Sequence, residues 1–111
     1  MINSKNKGNT YERQLVNELK VVFNKTDIYT SRNASKLLDD QKVDIFNTPI
    51  INIQAKFYKN YLSLNSISSI LDSMPDDKIN TVFHKANRKT ELIVLKKEDF
   101  YKLLKKLTKN Q

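Results

Sequence analysis

The stretch Lys42-Val43-Asp44-Ile45-Phe46-Asn47-Thr48-Pro49-Ile50-Ile51-Asn52-Ile53-Gln54-Ala55-Lys56 decides how this chain is read. Two β-prone runs, 42–46 and 50–58, flank the turn signal Asn47-Thr48-Pro49. Side chains alternate faces along a strand. Val43 and Ile45 therefore point one way and Asp44 the other. Ile53, Ala55 and Phe57 take the core face, and Gln54 and Lys56 share the opposite face, roughly 7 Å apart. A Pro-containing hairpin sets the strands about 4.8 Å apart and brings Asp44 to Gln54. Apolar and polar patterns agree on this one register, and a one-residue slip would break both.

Helices lie on either side of this hairpin. Tyr11, Leu15, Leu19, Val22 and Phe23 recur at helical spacing, so a first helix is expected from Asn9 or Thr10. Asn9 stands three residues before Glu12 in the pattern of a capping box. Residues 1–8 are polar and expected to be loose. Residues 27–32 alternate weakly as a first strand, and 33–41 read as a loop containing Leu37 and Leu38. Ser63 or Asn65 can cap a second helix carrying Leu64, Ile67, Ile70, Leu71 and Met74, ended by Pro75-Asp76-Asp77. Residues 79–85 and 91–95 form a hairpin across Asn87-Arg88-Lys89. A last helix turns Phe100, Leu103, Leu104 and Leu107 to the core and spreads Lys102, Lys105, Lys106 and Lys109 over its other faces. The order is α-β-β-β-α-β-β-α, an α/β fold with helices around one small mixed sheet.

The length, 111 residues, fits a single domain over 1–111. Leu, Ile, Val and Phe supply 33 residues, enough for a modest core. No apolar run is long enough for a transmembrane helix, and residues 1–8 lack the apolar segment of a signal peptide. There is no cysteine, which excludes disulfides and thiolate metal sites and agrees with a cytoplasmic location. The net charge of +8 points to a polyanion, with nucleic acid ahead of membrane. Seventeen of the 20 basic residues are lysine, a bias that AT-rich coding also produces; a phage or mobile element in a bacterial host fits that composition.

The groups gathered by the hairpin suit phosphodiester cleavage. A hard divalent cation such as Mg²⁺, with Mn²⁺ as a substitute, prefers oxygen ligands, activates water and relieves charge at the phosphate. Asp44 offers a charged oxygen and Gln54 a neutral one, and Lys56 can stabilise phosphate charge. One carboxylate binds Mg²⁺ weakly, and Glu12 is the candidate second acid. Arg32 beside the loop, and His84, Lys85, Arg88 and Lys89 around the second hairpin, are candidate phosphate contacts. Against these stand plain readings: Glu12 as a capping residue, His84 as a structural histidine, Tyr58 and Tyr61 as packing residues, and the last helix's lysines as a solvated face.

An Asp followed about ten residues later by Gln-x-Lys, after a helix bearing an acid, resembles the PD-(D/E)XK nuclease superfamily. Lys7-Gly8 and Glu12-Arg13 are similar to the first helix of archaeal-type Holliday junction resolvases. The resemblance spans about residues 5–60. It implies a restriction-endonuclease-like fold and a homodimeric, metal-dependent endonuclease acting on branched DNA. It implies Asp44, Gln54 and the Ala55 carbonyl as metal ligands, Lys56 as catalytic lysine and Glu12 as an added acid. Ser31 or Ser35 corresponds to a loop serine, and Lys7, Arg13 and Lys59 join the DNA-binding set. Two departures stand out. Val43 replaces the proline, and Gln54 replaces the acid, as in type IV, modification-dependent restriction nucleases. A duplex-cutting nuclease and a non-catalytic DNA-binding protein are the alternative readings.

Overall fold

The structure, a computed structural model, describes residues 4–31 and 42–109, with side chains from residue 6 onward. Three helices and five strands follow the expected order among these residues: α1 (Ser4–Val22), β1 (Tyr29–Thr30), β2 (Ile45–Phe46), β3 (Ile51–Tyr58), α2 (Leu64–Ser73), β4 (Ile79–Ala86), β5 (Leu92–Val94) and α3 (Lys97–Thr108). The strands form one mixed sheet in the order β1-β2-β3-β4-β5. Only β3 and β4 run parallel; every other adjacent pair is antiparallel.

Helix α1 starts five residues before the expected Asn9. Asn9 is therefore inside the helix, and the Asn9–Glu12 capping box is not its start. The segment 4–8 carries no apolar repeat to announce a helix. Its reward is tertiary: Lys7 Nζ donates to Asn87 Oδ1 at 3.0 Å and lies 5.2 Å from the Phe57 ring centre. The far end closes with Asn24 in the left-handed region (φ 50°). Asn24 N–H donates to the Val21 carbonyl and Lys25 N–H to the Lys20 carbonyl, the paired bonds of a Schellman ending.

The sheet is covered on both sides. Tyr11, Leu15, Val16 and Leu19 of α1 pack with Ile28, Ile45, Ile53 and Ala55. Ile67, Leu71 and Met74 pack with Val82. Val82 lies beside Gln54 in the parallel register, on the face opposite Ile53 and Ala55. Helices α1 and α2 thus occupy opposite faces, and the crossover β3-α2-β4 supplies the three-layer arrangement. Ser63 caps α2, its side chain accepting from Ser66 N–H. Leu64, expected on the buried stripe, is 76 % exposed because the first turn of α2 lies outside that cluster.

Strands β1 and β2 are shorter than the β-prone runs that contain them, yet a stacked Tyr29–Phe46 pair fixes their register. The β2–β3 turn carries two left-handed residues, Asn47 (φ 71°) and Ile50 (φ 72°). Ile50 is a strained choice, since a β-branched side chain disfavours this region. The turn is held by Thr48 Oγ1 donating to the Ile51 carbonyl and Lys78 Nζ donating to the Thr48 carbonyl.

The largest difference from expectation is α3. None of its residues is buried: Phe100 is 46 %, Leu104 41 % and Leu107 67 % exposed. Its apolar stripe does not face the core. The helix is tied at its start by a Lys96–Asp72 ion pair, and it turns Asp99, Lys102, Lys105 and Lys106 towards a cleft against residues 76–79. Among the described residues no helix is long and apolar enough to cross a membrane.

Candidate functional site

The β2–β3 register pairs Ile45 with Ile53, which sets Asp44 across from Gln54 as the alternation requires. At Asp44 the strand has already left regular pairing, but its backbone remains pinned on both sides. Its N–H donates to the Ile53 carbonyl at 2.8 Å, and its carbonyl accepts from Ser31 N–H at 2.9 Å. The carboxylate turns in to β3, where Oδ2 accepts from Ala55 N–H at 2.8 Å. This bond fixes the carboxylate's orientation, and a carboxylate retains lone pairs for further partners.

Gln54 is buried, because α2 covers this face of the sheet. Its Nε2 donates to the Lys42 carbonyl at 2.9 Å. A carbonyl can only accept, so the NH₂ end must face Lys42 and the oxygen Oε1 is the end left for a cation. Lys42 presents that carbonyl from a left-handed conformation (φ 61°). The glutamine thus has a local cause: a glutamate here would set a carboxylate against a carbonyl. Lys56, two residues on and half-buried, shares the face with Gln54.

Glu12 is 4 % exposed and lies on the core-facing stripe of α1, one residue from Tyr11 and three from Leu15. It approaches the sheet from the α1 side, whereas Gln54 and Lys56 project from the α2 side. Among the described residues no three His, Cys, Asp or Glu side chains gather as a metal cluster. The donor set offered around β3 is one carboxylate and one amide oxygen, both hard ligands suited to Mg²⁺ or Mn²⁺. Of the two loop serines, Ser31 adjoins Asp44 through its backbone bond and is buried. Arg32 and Ser35 lie outside the described residues.

A second feature stands at the C-terminal ends of β3 and β4. A cavity of about 540 Å³ is lined by Phe57, Lys59, Asn60, Lys85, Asn87, Arg88 and Lys89, with no carboxylate among them. Lys7 reaches its rim through Asn87, and Lys85 Nζ lies 5.0 Å from the Phe57 ring centre. Five candidate phosphate contacts, Lys7, Lys59, Lys85, Arg88 and Lys89, therefore meet in one place. Phe57, Asn60 and Asn87 belong to this cavity without having been legible as such. Arg13 is exposed on α1 and does not line it.

His84 is a structural residue. It is 1 % exposed, and its Nε2 accepts from Leu62 N–H at 2.9 Å, just before the α2 cap. The rings of Tyr58 and Tyr61 meet it edge-on. This burial removes His84 from the phosphate contacts expected of it. At the opposite side of the sheet, burial pushes the Tyr11 hydroxyl well above its ordinary ionisation range, and the Glu91 carboxylate adds to the effect. No family model, curated protein or solved structure matches this chain.

Proposed function

We propose that the protein is a metal-dependent endonuclease of the PD-(D/E)XK type, acting on branched DNA. The observation that carries this reading is the placement of Asp44, just before β2, against β3, which carries Gln54 and Lys56 on one face, with the carboxylate anchored by Ala55 N–H and the Gln54 amide nitrogen turned to Lys42. The five-stranded mixed sheet with helices on both faces supports assigning it a restriction-endonuclease-like fold.

In this mechanism Asp44 and Gln54 would hold Mg²⁺ or Mn²⁺, with the Ala55 carbonyl as a further oxygen; Glu12, on the other side of the sheet, is not in this set. When bound, the ion supplies Lewis-acid activation of water and charge relief at the scissile phosphate. Lys56 would orient the nucleophile and offset charge on the phosphate, while Lys7, Lys59, Lys85 and Arg88 would hold the DNA backbone at the C-terminal ends of β3 and β4. The net charge of +8 and the carboxylate-free cavity support a nucleic-acid substrate.

One observation favours a second reading, a DNA-binding protein without catalysis. Gln54 is neutral, and its amide bond to Lys42 explains it without a metal. Labelled four-way junction, linear duplex and single-stranded DNA, incubated with and without Mg²⁺ or Mn²⁺, separate the two. Metal-dependent cleavage of the junction ahead of the duplex is the expected result. Binding without cleavage under any metal selects the second reading, and preferential duplex cutting selects a restriction-type nuclease.

A further inference from the structure

We propose that the cavity at the C-terminal ends of β3 and β4 takes one unpaired nucleotide of a DNA strand, its base against Phe57 and its phosphates on the surrounding cations. This rests on the nucleic-acid part of the proposed function and adds a site for a base; it does not rest on a metal at Asp44.

The cavity holds about 540 Å³, which falls within the about 300–1,000 Å³ of pockets that enclose a small ligand. Backbone phosphates are held by cations, amides and hydroxyls, and an aromatic wall adds nothing to such contacts. Phe57 supplies an aromatic wall. It is half-buried, and Tyr11 meets it edge-on with the ring centres 6.0 Å apart. Lys7 Nζ and Lys85 Nζ stand 5.2 and 5.0 Å from its centre. An ammonium on an open ring is held more weakly than a stacked base, so both lysine heads can turn to phosphate as a base enters. The bounding loops are braced before any ligand arrives. Asn87 N–H donates to the Lys59 carbonyl at 3.3 Å, and the Tyr61 hydroxyl donates to the Thr90 carbonyl. Lys89 N–H donates to the Ala86 carbonyl at 3.1 Å, closing a turn in which Arg88 is left-handed (φ 60°). A site built in advance loses little of its binding free energy to ordering.

The groups around the ring match the parts of a nucleotide. Asn60 and Asn87 are exposed amides on the lining, able to donate and accept along a base edge. Asn87 Oδ1 accepts from Lys7 Nζ at 3.0 Å, which leaves its NH₂ to donate. Lys59, Arg88 and Lys89 are exposed cations beside them, and no carboxylate lines the cavity to repel a phosphate. A paired base is stacked on both faces with its Watson–Crick edge occupied, so only a base outside the duplex can fill this space. Free phosphate would use the cations and leave the ring and the two amides idle.

The test is fluorescence anisotropy of the full chain in EDTA, so that no strand is cut. Three labelled duplexes are compared: fully paired, with a single bulged deoxyadenosine, and with that bulge made abasic. Wild type should bind the base-bearing bulge on the order of tenfold more tightly than the abasic one. The paired duplex should bind no better than the abasic one. Phe57→Leu should bring the ratio of the two bulged duplexes close to one, Phe57→Tyr should keep it, and Asn60→Ala should lower it. Arg88→Gln should weaken all three duplexes and leave the ratio unchanged. The ratio compares two ligands on one protein, so a partly unfolded variant does not imitate loss of the base site. Equal binding of the two bulged duplexes by wild type overturns this proposal alone, and so does a ratio that survives Phe57→Leu. Absence of binding to every duplex overturns it together with the nucleic-acid reading.

Discussion

Replacing Asp44 by Ala and by Asn separates what its carboxylate does for the fold from what it does for a metal. Asp44 Oδ2 accepts from Ala55 N–H at 2.8 Å, and Ala55 is 7 % exposed. Ala removes the acceptor and leaves that N–H without a partner inside the sheet, which costs about 1–3 kcal/mol. The lost bond is charge-assisted, so the upper half of that range applies, about 2–3 kcal/mol. Asn keeps an oxygen in place and loses only the charge, about 1 kcal/mol. For a domain of this size 1 kcal/mol corresponds to about 4 °C in Tm. Without added metal, Asp44→Ala should therefore melt roughly 8–12 °C below wild type, and Asp44→Asn by no more than roughly 4 °C. Circular dichroism melts give these values, and hydrogen exchange at Ala55 gives a local check: its protection should fall in the Ala variant and persist in Asn. Equal melting of the Ala and Asn variants would refute the assignment of this bond. Both substitutions should abolish metal-dependent cleavage, so Asp44→Asn is the variant in which activity is lost from a protein that stays folded.

Three further outcomes follow from the geometry. Gly8 sits within α1 with no heavy atom within 4 Å of where a Cβ would stand, so Gly8→Ala should raise stability by about 0.5–1 kcal/mol in urea denaturation. Tyr11 ionises at about 10 in the unfolded chain and higher in the fold, chiefly through burial. Because the folded value is raised, its contribution is intact below about pH 10 and declines above it, by up to about 1.4 kcal/mol per pH unit. Tyr11→Phe should flatten that alkaline decline when urea curves at about pH 9 and about pH 11 are compared with wild type. Gln54→Glu sets a carboxylate against the Lys42 carbonyl and should cost about 1–3 kcal/mol without metal. Mg²⁺ should recover more Tm in this variant than in wild type.

The order of elements was legible because each one carries its own period. The β2–β3 register was legible because Val43, Ile45, Ile53 and Ala55 cannot all be buried in any other. Ile45 pairs with Ile53, which sets Asp44 across from Gln54 as that register requires. What the residues could not show was the partner of each polar atom. Alternation put Gln54 on the face opposite Ile53 and Ala55, and it could not show that α2 covers that face or that a backbone carbonyl sets its amide. The early start of α1 was hidden because its reason, the contacts of Lys7 with Asn87 and Phe57, lies 80 and 50 residues away. His84 had no local sign of burial; the Leu62 N–H and two tyrosines decide it. In α3 the apolar period was read correctly and its destination was not, since periodicity says which side is apolar and not what covers it.

The central claim is that Asp44 and Gln54 hold a divalent ion. Mn²⁺ binding followed by electron paramagnetic resonance tests it most directly, on wild type beside Asp44→Asn. Wild type should take up Mn²⁺ at a site that Mg²⁺ competes for, and Asp44→Asn should lose that uptake while keeping the wild-type circular dichroism spectrum. Equal Mn²⁺ uptake by the two proteins would contradict the account.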